Sequence, residues 1–143
     1  MSTPRITVAE MDAHIQRVCD THGIERIGGR RAIAYRRGPA GRRRLGIRIP
    51  PIRSQITYAV ALHELGHLIG PGRSGTRLEK EAAAWRWALA NSIVELSDHA
   101  RRSSGRRLRS YVLWAEHRQH RRRPPRIPSP ESPFWAVLRE LEA

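Results

Sequence analysis

Residues 63–67 constrain this chain more than any other segment, because they place two histidines four positions apart with a glutamate beside the first. They read His-Glu-Leu-Gly-His. Residues four apart lie on one face of an α-helix, so both imidazoles can reach a single Zn²⁺. Glu64 stays off the metal and can take a proton from a water molecule whose pKa the metal lowers. The spacing therefore predicts a helix with two zinc ligands, His63 and His67, and a general base, Glu64.

The residues around the motif favour this helix. Ser54 is a plausible N-cap, and apolar residues from Ile56 onward form a stripe that the two histidines continue. The Gly-Pro-Gly sequence at 70–72 predicts where the helix ends. A core position would explain one histidine on an apolar face, but not two with a glutamate between them. We therefore expect zinc binding.

A catalytic zinc usually takes three protein ligands, and the next predicted helix offers two glutamates. Thr76 and Glu79 fit a T-x-x-E capping box, which gives Glu79 a structural role at the helix start. Glu81 lies at the edge of the apolar stripe, flanked by the small residues Ala84 and Ala88. We expect Glu81 to be the third ligand, with Glu79 as the alternative. An ordinary helix-surface carboxylate would be the default interpretation without the histidines upstream.

These two elements together resemble the ImmA/IrrE family of metallopeptidases. The H-E-L-G-H motif is followed by a short loop and a helix of the form E-x-x-A-x-x-(aromatic)-A, here residues 81–88. The resemblance covers roughly residues 30–95. The family usually has Asn or Asp where Trp85 stands, so a hydrogen bond to a metal ligand is expected to be missing or supplied elsewhere.

The resemblance implies a function as well as a site. It assigns His63, His67 and Glu81 to the metal and Glu64 to proton transfer in a zinc-dependent metallo-endopeptidase. Family members are similar to proteases that cleave transcriptional repressors, often on mobile elements, so a repressor-type protein is the expected substrate. Two other functions stay open: a DNA-associated regulator with a zincin fold and no protease activity, and a phage structural protein with purely structural zinc.

A peptidase also needs a donor that stabilises the oxyanion of the tetrahedral intermediate. His99 and Tyr111 are candidates, and the sequence favours neither.

The chain is strongly basic, with a net charge of +14. The excess lies in residues 1–60 and 101–143, and its densest arginine runs are residues 42–44 and 121–123. These basic flanks predict contact with nucleic acid through phosphates, or with an acidic protein partner. A solvated basic surface is the favoured alternative, because no recognisable DNA-reading motif accompanies the charge.

The pattern as a whole predicts an α+β fold. We expect a minimal zincin-like domain in which a β-hairpin packs on the H-E-x-x-H helix and the glutamate helix. A T-x-x-E capping box at Thr7 opens an N-terminal helix that runs to about Thr21. Strands are expected at residues 32–36 and 44–49, joined by a turn at 38–41. The Gly28-Gly29 pair indicates a break in the chain.

We assign residues 1–100 to the zincin-like domain and residues 101–143 to a basic helical extension. In the extension we expect a helix from Arg106 to about His120, a proline-rich linker, and a short amphipathic helix after Ser132 that docks on the core.

Composition narrows the cellular setting. No apolar run is long enough to span a membrane, and no signal peptide is visible. The single cysteine, Cys19, permits neither an intramolecular disulfide nor a cysteine-based metal site. We therefore expect a cytoplasmic protein with no membrane partner.

Overall fold

The fold is α+β, as a computed structural model that describes residues 5–39, 41–72 and 74–143 shows. In this part of the chain there are five helices and one small mixed sheet. The helices are α1 (Val8–His22), α2 (Gln55–Ile69), α3 (Arg77–Asn91), α4 (Asp98–Glu116) and α5 (Pro133–Glu142), and the strands are β1 (Ile24–Gly28), β2 (Ile33–Arg37) and β3 (Arg44–Ile49).

The sheet has the order β1-β3-β2, which leaves β2 at an edge. β2 and β3 pair antiparallel, as the predicted hairpin requires; within its turn, Ala40 lies outside the described residues. β1 was not expected, because the Gly28-Gly29 pair was interpreted only as a break. It pairs in parallel with β3 from Ile24 to Gly28. This strand alternates weakly, with Glu25 and Arg26 inside it, and depends on backbone pairing with a distant segment.

The central helix is α2, and its N-terminus agrees with the prediction. The Ser54 side chain accepts a hydrogen bond from the backbone N–H of Thr57, and the Thr57 hydroxyl completes a reciprocal cap. The expectation of one apolar stripe was too narrow, because α2 is buried on nearly every side. It contacts α1, α3, α4, β2 and β3. A helix surrounded in this way needs apolar residues all round.

Helices α2 and α3 approach each other closely at Gly66. A Cβ atom at this position would lie 2.7 Å from the carbonyl oxygen of Ala84 and 3.1 Å from its Cα. Only a glycine fits such a contact with neighbouring backbone. Small residues at 66 and 84 therefore bring together the faces that carry the histidines and Glu81.

Helix α4 begins at Asp98, with Ser97 as its N-cap, and not at Arg106 as predicted. It ends at Glu116 and not near His120. Its first two turns carry few large apolar residues, since the buried positions there are Ala100, Ser104 and Gly105. Periodicity of large apolar side chains therefore missed this part of the helix. The predicted domain boundary after residue 100 falls within α4.

Helix α5 follows the predicted start, with Ser132 as N-cap and Pro133 in the first turn. It packs against α3 and α4, and its four buried residues are Phe134, Val137, Leu138 and Leu141. Among the described residues, no helix combines the length and the hydropathy that crossing a membrane requires.

The Gly66 contact gives a test of the packing. An alanine in a helix interior is normally about 1 kcal/mol more favourable than glycine. Here the added methyl meets backbone, and such overpacking typically costs about 1–3 kcal/mol. We expect Gly66→Ala to lower the free energy of unfolding in a denaturant titration. Gly28→Ala is the control, because its Cβ would meet nothing within 4 Å; equal stabilities for the two variants would contradict this packing.

Candidate metal centre

Three side chains from two helices converge on one point. His63 and His67 come from successive turns of α2, and Glu81 comes from the second turn of α3. The Glu81 Oε2 atom lies 2.8 Å from Nε2 of His63 and 3.1 Å from Nε2 of His67. The two Nε2 atoms are themselves 3.1 Å apart. The structure thus brings together the two histidines and the glutamate that were predicted as ligands.

This triangle of donor atoms fits a small metal ion. Ligand atoms around a tetrahedral Zn²⁺, each at about 2.0–2.1 Å, lie about 3.3 Å from one another. The observed separations are slightly shorter, and two nitrogens with one carboxylate oxygen form a common ligand set for catalytic zinc. His63 and Glu81 are only 6% and 9% exposed, so water competes little for the ligand atoms. The group can therefore hold a metal ion.

The His63 ring is fixed by stacking and not by a second hydrogen bond. Trp85 lies against it with ring centroids 4.2 Å apart and planes 27° from parallel. The Nδ1 atom of His63 is buried and has no hydrogen-bond partner in the described residues. Metal-bound histidines usually donate this second N–H to an acceptor. The indole ring of Trp85 thus positions the imidazole of His63 by stacking against its face.

Burial and the shared carboxylate set the charges of the ligands. Burial alone would raise the pKa of Glu81, but hydrogen bonds and charge from both histidines lower it to about 2. Burial lowers the pKa of His63 below its ordinary value, although Glu81 opposes this. For His67, burial is outweighed by the hydrogen bond and charge of Glu81, so its pKa is raised. Glu81 is therefore an anion, ready to ligate a cation.

Glu64 lies beside the ligands without joining them. Burial raises the pKa of its carboxyl to about 7, while the charge of His67 opposes the rise. The charge of Arg107 on α4 and the backbone N–H of Ala34 on β2 also oppose it. A carboxyl with a pKa near neutrality can both accept and return a proton. Its environment therefore suits a general base.

The centre opens into a cleft of about 480 Å³ between β2, α3 and α4. Glu64, His67 and Glu81 line its floor. Its walls include Ala34 of β2 and Ala32 just before that strand, together with cationic and phenolic side chains, namely Arg36, Arg77, Lys80 and Tyr111. Arg36 also fastens β2 to the end of α2, since it donates to the carbonyl oxygens of His67 and Leu68 at 3.0 and 3.4 Å.

The structure distinguishes among the other candidates for the third ligand and for the oxyanion donor. Glu79 has the structural role of the capping box: its carboxylate accepts hydrogen bonds from the N–H and hydroxyl of Thr76, and another from Ser132. Tyr111 reaches the cleft, where burial and the charge of Glu81 raise the pKa of its hydroxyl. His99 is exposed and does not line the cleft.

Three features of the site were not predicted from the sequence: the stacking of Trp85 on His63, the hydrogen bond from the Ala34 backbone to Glu64, and the arginines that line the cleft. The tryptophan at position 85 was the one available signal, because the other two features depend on how β2 and α4 pack around α2.

Comparisons of this chain with protein-family models, with curated proteins and with solved structures find no match.

The metal centre can be tested by zinc content. We expect about one zinc per chain after dialysis, measured by mass spectrometry. His67→Ala and Glu81→Gln should lose most of it, because each removes a ligand from a three-ligand site. Glu79→Gln is the matched control, since glutamine also satisfies a capping box. Zinc kept by Glu81→Gln but lost by Glu79→Gln would assign the third ligand to Glu79.

The pKa of Glu64 predicts a pH-dependent cost in the metal-free protein. The folded value of about 7 exceeds the ordinary value of 4.5. Deprotonation is thus disfavoured in the folded state: the cost is absent below pH 4.5, grows towards pH 7 and is constant above. We expect Glu64→Gln to be about 1–3 kcal/mol more stable than the wild type at pH 8.

This difference should shrink as the pH falls to 5, and denaturant titration of the EDTA-treated proteins measures it. Glu140→Gln, at an exposed position of α5, controls for the loss of one charge. A wild type as stable as Glu64→Gln at pH 8 would show that Glu64 is not desolvated.

Proposed function

We propose that this chain is a zinc-dependent metallo-endopeptidase. The observation that carries the proposal is the convergence of His63, His67 and Glu81 within about 3.1 Å of one another, with Glu64 beside them at the floor of an open cleft. A purely structural zinc site would be closed by a fourth protein ligand. Among the described residues, the metal-binding group consists of three, which leaves a position for substrate or water.

Zinc in this site would act as a Lewis acid on the scissile carbonyl and would lower the pKa of the attacking water. Glu64 then accepts the proton of that water and returns it to the leaving amine. Both transfers need a carboxyl whose pKa lies close to the working pH. Partial burial meets this need, and the charges of His67 and Arg107 keep the rise within useful limits.

The edge strand β2 supplies a way to hold an extended peptide. The N–H of Ala34 faces Glu64 and not β3, which places the backbone groups of this residue on the cleft side. In an antiparallel ladder the N–H and C=O of one residue point the same way, and this direction alternates along the strand. Ala34 therefore faces the outer edge of β2, to which a substrate strand can add by β-augmentation.

Tyr111 is the donor best placed to stabilise the oxyanion. It lines the cleft and forms a hydrogen bond with Glu81, and a tyrosine hydroxyl is protonated at neutral pH. A neutral O–H directed at developing negative charge stabilises a transition state more than the ground state.

The resemblance of residues 63–88 to the ImmA/IrrE family supports the same conclusion. It adds two further proposals: that the arrangement of hairpin, α2 and α3 is zincin-like, and that the substrate is a repressor-type protein. Both rest on the motif and its spacing.

Replacing the base tests the mechanism. We expect Glu64→Gln to keep its zinc but to lose activity by roughly 10²–10⁴-fold, the usual contribution of a general base. The substrate can be a library of proteome-derived peptides, with cleavage products identified by mass spectrometry. Glu79→Gln should retain both zinc and activity. Undiminished cleavage by Glu64→Gln would refute the role of Glu64, and no cleavage by the zinc-loaded wild type would refute the proposed function.

A further inference from the structure

An arginine-lined hollow adjoins the cleft on the side of α4. It encloses about 300 Å³, and its lining includes Trp114 and five arginines, at positions 77, 118, 121, 123 and 126. We call it the arginine pocket. It is formed by α3, by α4 and by the segment that follows α4, so residues far apart in sequence build it. Neither the zinc ligands nor Glu64 take part in it.

Arg77 joins the arginine pocket to the cleft, because it lines both. Its guanidinium lies 4.9 Å from the ring centroid of Trp114 and 5.6 Å from that of Tyr111. Arg77 therefore lies between the two hollows, which are neighbours along α3 and α4.

Two of the five guanidinium groups, those of Arg77 and Arg118, are held against aromatic rings. Arg118 lies 5.1 Å from the Trp114 ring and donates a hydrogen bond to the Trp114 carbonyl at 3.1 Å. Within the described residues, no ion pair joins any of the five arginines to a carboxylate. Glu79 lines the adjoining hollow, but its oxygens are occupied by Thr76 and Ser132. The pocket therefore presents a cluster of positive charge that an anion would stabilise.

We propose that the arginine pocket binds acidic side chains of a peptide whose backbone lies in the cleft. The proposal rests on the proposed function and names its substrate class: peptides with Asp or Glu close to the scissile bond. The cleft itself agrees with this, since Arg36 and Lys80 also line it. Beyond the carboxylates of the metal centre, a basic peptide would meet these cations and the arginines of the pocket, whereas an acidic one would meet opposite charge.

A peptide fits these observations better than nucleic acid. Proteins that bind single strands use open aromatic faces on which bases stack. The Trp114 ring already carries the guanidinium groups of Arg77 and Arg118. A base would have to displace one of them, whereas a carboxylate can bind their N–H groups where they stand. The neighbouring cleft is also bordered by the edge strand β2, to which a peptide backbone can add as a further strand.

The test measures binding apart from cleavage. The probes are a fluorescein-labelled peptide of alternating Gly, Ser and Glu and its analogue with Gln in place of Glu, titrated by fluorescence anisotropy. The protein is zinc-loaded Glu64→Gln. We expect the Glu peptide to bind roughly tenfold more tightly than the Gln peptide at low salt, with the preference declining as salt is added.

Two triple variants in the same background locate the effect. Arg121→Gln, Arg123→Gln and Arg126→Gln together remove three exposed charges of the pocket, and the preference for Glu should fall to near unity. Arg42→Gln, Arg43→Gln and Arg44→Gln remove the same charge from exposed positions near the β2–β3 turn, outside the lining of the pocket. This control should keep the preference.

Equal losses in the two triple variants, or no preference for Glu at all, would overturn the proposal. An oligothymidine that binds more tightly than the Glu peptide and is weakened only by the pocket variant would assign the pocket to nucleic acid instead.

Cleavage separates this proposal from the proposed function. If the peptide library is cleaved, sites flanked by Asp or Glu should be enriched for the wild type and not for the pocket variant. Cleavage without that enrichment would refute the pocket alone. Acidic binding by the pocket in a protein that cleaves nothing would refute the peptidase and leave the pocket as an anion-binding surface.

Discussion

The close contact between α2 and α3 is the constraint on which the candidate site depends. His63 stands three residues before Gly66, and Glu81 stands three residues before Ala84. Because Gly66 has no side chain to hold the helices apart, the carboxylate of Glu81 reaches both imidazoles at 2.8 and 3.1 Å. A side chain at position 66 would separate the helices by a few tenths of an ångström or more, and a ligand set with a tolerance of about 0.2 Å would open. Helix packing and metal affinity are thus set by the same atoms.

Two polar groups of the site, on His63 and Glu64, lower the stability of the fold, and burial of apolar side chains offsets this cost. The unpaired Nδ1 of His63 alone costs about 1–3 kcal/mol as a buried polar atom. Glu64 adds the cost of a carboxyl that resists ionisation at neutral pH. Fully buried apolar side chains of α2 and α3 oppose these terms, among them Leu62, Leu65, Leu68 and Trp85. Each of these stabilises the fold by about 1.5–3 kcal/mol through burial.

The parts that could be predicted from the sequence are those with local causes. Capping boxes at Thr7 and Thr76 and the N-cap at Ser54 satisfy backbone groups within one turn, and the structure has all three. The proximity of His63, His67 and Glu81 followed from one helical repeat and one capping argument. β1 could not be predicted, because its parallel partner β3 is distant in sequence and its own alternation is weak. The start of α4 was not predicted, because its buried residues Ala100, Ser104 and Gly105 are small and give no periodic pattern of large apolar side chains. The role of Trp85 could be predicted only in part: position 85 departs from the pattern of the family that the motif resembles, but the stacking on His63 depends on how α2 and α3 pack.

The fold gathers part of the positive charge of the chain at one place. A net charge of +14 spread evenly would only keep the protein in solution and repel its own surface. Instead, arginines from α3, α4 and the following segment gather beside the one cleft that contains Glu64. Positive charge has two effects near this cleft. Arg107 lowers the pKa of Glu64 against the effect of burial, which favours the carboxylate form. Arg77 and its neighbours at the same time favour anionic groups on whatever enters. Arg107, which lines neither hollow, thus acts on Glu64, whereas the arginines of the pocket act on anionic groups that approach the cleft.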